Sequence, residues 1–272
     1  MTILIVLVGL LISHFATGFR HLRRFDWVGL PLMWLQGRFP EQPWLPAVAL
    51  ILISVVGSWL ALWIATSLLG LAGALLLALA VFILTLGPRD LDRDVAVLTD
   101  SIESDAAEVQ SAQKAMRLDP EAQASEGAAA VLHAGLSRWF GLLFWFVLLG
   151  ITGALIYRLT RVALQLENAD PAALEWLARL RLVLDWPVLA LLTVSLALVN
   201  DLDRVLSAWR AQREQAPAWL ITPSILDRLA TSLVDEDADL GAGVVFGHQM
   251  VWRILVLWLV MLSVLLLAGW LA

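Results

Sequence analysis

From Gln42 to Pro88 the chain runs for 47 residues without one Asp, Glu, Lys, Arg or His. A bilayer's hydrocarbon core is about 30 Å thick, and a helix rising ~1.5 Å per residue crosses it in roughly 20 residues. The 41 residues from Pro46 to Leu86 are long enough for two crossings with almost nothing between them. A helix in water needs a polar face, and this stretch offers only Ser, Thr, Gly and Trp. The segment therefore reads as a membrane hairpin.

Composition agrees: 60% of the 272 residues are hydrophobic and only 15% are charged, which excludes an ordinary water-soluble domain. A net charge of −6, with Lys114 the only lysine, argues against nucleic acid, because a phosphate-binding face needs clustered Lys and Arg. Without cysteine there are no disulfides, Cys-ligated metals or Cys nucleophiles. The expected fold is an all-α integral membrane protein, one polytopic domain over 1–272.

Six apolar segments are expected, at 2–19, 47–66, 68–87, 139–157, 186–200 and 254–271. The first is followed, not preceded, by Arg20, Arg23 and Arg24, the reverse of a secretory signal, and reads as a retained span. The fifth is weak: only 14 residues separate Asp185 from Asn200, so Asp185 lies at headgroup level or the segment is partly re-entrant. Trp252 and Trp270 bracket the last like an interfacial aromatic belt. An outside N-terminus places 14 Lys and Arg inside against four outside (Arg158, Arg161, Arg179 and Arg181), which favours that orientation. Two polar helical loops, 88–137 and 201–250, then face the cytoplasm. Asp-Pro and Thr-Pro pairs at 119–120, 170–171 and 222–223 mark helix starts within the loops.

No long-period repeat emerges, but Asp90-Leu91-Asp92-Arg93 is echoed by Asp201-Leu202-Asp203-Arg204. Carboxylates favour a helix N-terminus, so both clusters are expected to open the helix after a span, with Arg93 and Arg204 anchored to lipid phosphate. The competing reading, a metal or nucleotide site at Asp90, Asp92 and Asp94, lacks the glycine and terminal Glu of a calcium loop. The run from Asp235 to Asp239 reads as a solvated loop, His14 as interfacial, His133 and His248 as isolated, and Tyr157 as an interface anchor. No nucleotide-loop, zinc-protease or serine-hydrolase motif is present, and neither a metal nor a cofactor is expected.

Charges near apolar span ends must find partners, because an unpaired one costs a few kcal/mol. The candidate ligand- or partner-binding residues are Asp90, Asp92, Arg93, Asp94, Arg138, Arg158 and Asp185. Arg138 is expected to meet Asp90, Asp92 or their neighbours if the second hairpin span packs on the fourth segment through Gly70, Gly73, Ala74, Gly141 and Gly150. Such a pocket would suit an anionic small ligand or a cytoplasmic protein partner. Lipid-facing snorkelling of the arginines is the alternative.

Arg138-Trp139-Phe140-Gly141-Leu142-Leu143-Phe144-Trp145-Phe146, followed by Gly150, Gly153-Ala154-Leu155 and Tyr157-Arg158-Leu159, resembles the signature of the AmpE family. Gly87 to Val95, Leu184-Asp185-Trp186-Pro187, Asp201 to Trp209 and the closing Val251-Trp252-Arg253 extend the resemblance over nearly the whole chain. It implies a bacterial inner-membrane protein with a regulatory role in β-lactamase induction and peptidoglycan recycling, without catalysis. AmpE proteins are distantly similar to the CobD/CbiB membrane enzymes of cobalamin synthesis, which join an aminopropanol derivative to adenosylcobyric acid by an amide bond. That enzyme activity is the alternative function. Two departures from the enzymes stand out: His133-Ala134 where they carry Glu-Asn, and Leu189 where they carry Arg.

The topology makes a direct expectation. A cysteine placed at Gly127 should be shielded from impermeant thiol reagents in intact cells, and labelled once they are permeabilised.

Overall fold

The computed structural model describes residues 5, 6, 8, 9, 25, 28–86, 89–100, 105–119, 121–166, 169–213, 221–235 and 237–268, with the side chains of 212, 213 and 266 excepted. Most of the first apolar segment with His14, as well as Arg20, Arg23, Arg24, Gly87, Pro88, Glu236 and Trp270, lies outside them. The described residues are helical, with no strand among them. The helices are α1 (Gly29–Arg38), α2 (Leu45–Thr85), α3 (Leu91–Thr99), α4 (Ala106–Met116), α5 (Ala124–Gly135), α6 (Gly141–Ala163), α7 (Pro171–Val199), α8 (Leu202–Arg213), α9 (Ser224–Leu233) and α10 (Leu240–Leu267). A π-helical turn, Leu136–Phe140, joins α5 to α6. Among the described residues, four stretches are long and apolar enough to cross a membrane: Leu45–Thr85, Ala124–Ala163, Pro171–Val199 and Leu240–Leu265.

The chain divides into two compact units. One comprises Met1–Pro88, Gly141–Leu184 and Ala268–Ala272; the other comprises Arg89–Phe140 and Asp185–Leu267.

In the first unit, α2 is the expected hairpin. Gly70 interrupts it at φ 59°, ψ −143°, a conformation essentially reserved for glycine. Three residues on, a Cβ at Gly73 would collide with the carbonyl of Ala65. In a straight helix those residues lie about 12 Å apart, so the chain folds back here. Only 17% of α2's most apolar window is buried, and Trp59, Trp63, Leu68 and Leu71 are exposed. The most apolar helix is also the least covered by protein, which makes lipid its solvent. Its hydroxyls are satisfied internally, as bilayer interiors require: Ser54 donates to Leu50 O (2.8 Å), Thr66 to Leu62 O (2.8 Å) and Ser67 to Trp63 O (2.7 Å). Beside α2, Leu32 of α1, Leu50, Leu159 and Ala163 of α6, and Leu177 of α7 form a buried core.

The fourth expected segment, 139–157, does not form one straight crossing. Gly150 adopts φ 62°, ψ −146° inside α6. Gly141, nine residues before this turn, sits against the ring of Tyr157, seven residues after it. The arms of α6 therefore run back alongside each other. Tyr157 is not an interface anchor: it is 1% exposed, and its hydroxyl accepts from the Arg161 guanidinium at 2.8 Å. The expected role of Gly70, Gly73, Gly141 and Gly150 as an interhelical ridge is corrected as well. Gly70 and Gly150 are turns, and the other two accommodate the chain that folds back on them.

The fifth segment differs too. Residues 172–184 and 186–200 form one helix, α7, of 29 residues with Pro187 inside it. At ~1.5 Å per residue it is about 43 Å long, ample for a crossing. Proline leaves a carbonyl of the preceding turn without its usual donor. Nearby, Leu184 O accepts from the Trp145 indole at 3.0 Å. Asp185 is consequently not at a helix end but fully buried within α7.

In the second unit, α5 and α10 pack backbone to backbone. Gly243 touches Ala124, a Cβ on Gly247 would lie 2.8 Å from Ala128 O, and one on Gly135 would lie 2.8 Å from Val251. This is the small-residue spacing that lets helices approach closely. The polar loop 88–137 is thus only partly a solvated surface, because α5 is largely buried, and α10 starts fourteen residues before the expected span at 254. The amphipathic helix α9 packs on α5 and buries Ile225, Leu226, Leu229, Ala230 and Leu233. Gly127 lies 2.8 Å from Leu240 by the same measure, so exposed Glu121 is the better cysteine position.

Glycine replacements should separate these roles. Gly73→Ala and Gly153→Ala, each meeting backbone, should lower the thermal midpoint in detergent. Gly57→Ala, with open space around it, should leave the midpoint unchanged or raise it, since alanine favours the helix by up to about 1 kcal/mol over glycine.

Candidate functional site

The polar cluster of the second unit is built where α3 begins. Asp90 caps α3, its Oδ1 accepting from Asp92 N at 3.1 Å. The echo behaves alike: Asp201 Oδ1 accepts from Asp203 N (3.0 Å) and Arg204 N (3.3 Å) as α8 begins. Both Asp-Leu-Asp-Arg clusters therefore start helices, as expected of carboxylates beside free backbone N–H groups. The arginines are held by protein groups. Arg93 pairs with Glu108 at 2.9 Å, and Arg204 lies 3.6 Å from Asp201 and donates to Ser232 O at 3.4 Å.

One turn into α3, Asp92 and Asp94 take different partners. Asp94 accepts from Arg138 at 2.7 Å, and its other oxygen lies 3.9 Å from Arg89 Nε. The Arg138 and Asp94 side chains are only 13% and 10% exposed, so this ion pair is mostly desolvated. Arg89 also donates to Ser111 O (2.7 Å) and Ser111 Oγ (2.6 Å), tying the start of α3 to α4. Asp92 Oδ1 meets His248 Nε2 at 2.7 Å and accepts from Trp252 Nε1 at 3.0 Å. The Trp252 indole also packs edge-on against Trp139, with ring centroids 5.4 Å apart.

The expectation that Arg138 meets a carboxylate of this cluster finds its partner in Asp94, rather than Asp90 or Asp92. Arg158 lies half-buried on α6 in the first unit, and Asp185 is buried in α7. Sequence reasoning missed His248, Trp252 and Arg89 as members. His248 is not isolated, and Trp252 is more than a belt residue: its N–H is spent on a carboxylate. The available signal was Gly243-x-x-x-Gly247, which brings α10 onto α5 and sets His248 beside the contact. His133 is not isolated either, meeting Asp227 at 2.8 Å on an exposed face.

Described residues that are all helical or in turns, with four membrane-length apolar stretches and a semi-buried charge cluster among them, define a multi-pass membrane protein. The chain is similar to the cobalamin biosynthesis protein CobD of Stutzerimonas stutzeri (strain A1501), 33% identical over 107 residues. The match covers 38% of this chain and 34% of that protein, so it spans about a third of the relative's length. It supports the CobD/CbiB side of the resemblance, whereas no match supports the AmpE side. No protein-family model and no solved structure matches the chain.

Charge exchange tests the central pair. Removing one member of a buried ion pair strands the other, at a cost of about 3–5 kcal/mol. Arg138→Glu and Asp94→Arg should each reduce the amount of folded protein in membranes, and the double variant should recover a substantial part. Asp92→Arg should not rescue Arg138→Glu.

Proposed function

We propose that this chain is a membrane protein of the cobalamin-biosynthesis type, related in role to CobD. The observation that carries this reading is the partial identity to that protein. The cluster of Arg89, Asp92, Asp94, Arg138 and His248 supports it by offering a polar locus on otherwise apolar helices. On this reading the cluster, with Asp90 and Arg93 at its edge, receives an anionic ligand. Arg89 and Arg138 supply charge, while His248 and Trp252 fix the Asp92 carboxylate. Arg158 and Asp185 are proposed as supporting residues in their own units. The finer version is an enzyme that forms an amide bond, as the CobD/CbiB resemblance implies.

A second reading, an inner-membrane regulator of the β-lactamase and peptidoglycan-recycling response, is favoured by two positions. Leu189, where the resemblance implies an Arg in the enzymes, is fully buried and apolar. His133, where it implies a Glu, is engaged with Asp227. Gene deletion discriminates the two. Loss of corrinoid synthesis, with β-lactamase induction and muropeptide pools unchanged, is the expected result. Altered induction with normal corrinoid synthesis would establish the regulator instead. Complementation with Arg138→Ala that reaches wild-type membrane levels should restore less than a tenth of corrinoid output.

A further inference from the structure

The two glycine turns have the same construction. Gly70 and Gly150 agree within a few degrees in φ and ψ. A Cβ on Gly73 meets Ala65 O and Leu69 Cβ, and one on Gly153 meets Trp145 O and Leu149 Cβ. Each residue of the second set lies eighty positions after its counterpart in the first. The sequence keeps that offset: Leu68-Leu69-Gly70 and Gly73-Ala74-Leu75 recur as Leu148-Leu149-Gly150 and Gly153-Ala154-Leu155. Trp59 recurs as Trp139, and Asp90, just before α3, as Asp170, just before α7. A repeat of this length was not expected from the sequence. The arms have diverged, and the identity is concentrated where the backbone demands it.

The two hairpins reach different depths. Ser58 and Phe82 lie on opposite arms of α2, each twelve residues from Gly70. Ser58 Oγ is 2.6 Å from Thr152 Oγ1, and the Phe82 ring centroid is 4.8 Å from that of Phe146. Thr152 and Phe146 are two and four residues from Gly150, close to the tip of α6. Twelve helical residues span about 18 Å and two to four span about 3–6 Å, so the tip of the second hairpin stops roughly 12–15 Å short of the tip of the first. The first arm of α2, from Leu45 to Leu69, is about 37 Å long and sufficient to cross. The second hairpin's tip therefore falls near the middle of the layer that the first one crosses.

We propose that residues 125–170 repeat the sequence pattern of 45–90, and that the hairpin within this copy, Gly141–Ala163, inserts into the bilayer to about half depth and returns to the side it left. Its lipid contact is the apolar tip, where Leu148 and Leu149 are 60% and 51% exposed, continuous with the lipid-facing surface of α2. The occupant of that tip is acyl chain. Thr152, bonded to Ser58, pins the tip at this depth. The consequence reverses the expected topology, in which the chain before the first hairpin and residues 158–181 face opposite sides: Ala47 and Leu50 at the base of α2 pack against Leu159, Ala163 and Leu177.

The chain has no cysteine of its own, so single-cysteine variants report cleanly in native membranes. Glu41→Cys and Ala172→Cys, both at exposed positions of the first unit, should react with an impermeant maleimide from the same side. A spin label on Leu149→Cys should report mid-bilayer depth, and one on Leu69→Cys a position near the headgroups. Ser58→Cys with Thr152→Cys should cross-link under mild oxidation. Opposite-side labelling of Glu41→Cys and Ala172→Cys, equal depths for the two spin labels, or an intact double-cysteine protein that fails to cross-link would each overturn the proposal. Leu148→Cys serves as the depth reporter if Leu149→Cys is not inserted.

Discussion

The close approach of α5 and α10 is the contact on which the polar cluster depends. Gly243 and Gly247 bring one helix backbone against Ala124 and Ala128 of the other. No side chain can occupy that seam without separating the helices. Because the helices touch, His248 and Trp252, one and five residues beyond Gly247, stand within hydrogen-bond reach of Asp92. Arg138, on the π-helical turn that ends α5, stands within reach of Asp94. A helix pair held apart by even one methyl layer would leave these carboxylates facing hydrocarbon or water. In an apolar solvent the packing of small residues replaces the hydrophobic drive that assembles soluble helices.

The cluster shows how polar groups are accommodated at the ends of apolar helices. Asp94 is shared between two arginines, and Asp92 takes two N–H partners from one helix turn. Neither carboxylate relies on solvent alone. The arrangement combines an ion pair, which is strong but undirected, with indole and imidazole contacts that fix the rotation of α3 relative to α10.

Much of this was legible in the chain. The charge-free run from Gln42 to Pro88 specified the first hairpin, and the Asp-Leu-Asp-Arg clusters specified two helix starts. Arg138 was assigned to the neighbourhood of the Asp90–Asp94 carboxylates, one residue pair from the truth. The Gly150 turn was not legible by hydropathy, since a run that crosses and a run that turns back within apolar surroundings have the same composition. The short apolar run between Asp185 and Asn200 suggested a headgroup position or a re-entrant segment, yet α7 continues through Pro187 and Asp185 is buried within it. His248 was missed because its partner lies 156 residues away, and no local periodicity encodes that distance.

The pairing of Asp92 with the last helix imposes an order on biogenesis. The chain enters the membrane from its N-terminus, so α3 and Arg138 are delivered well before Gly243, His248 and Trp252 leave the ribosome. Until then Asp94 can be neutralised by Arg138, but Asp92 has neither of its final donors. The nascent protein passes through a state carrying one uncompensated carboxylate beside apolar helices. Arrival of α10 removes that charge defect and closes the small-residue seam in one step. The polar cluster is thereby completed only when α10 arrives, and a chain cut before Gly243 would carry an exposed carboxylate in its place.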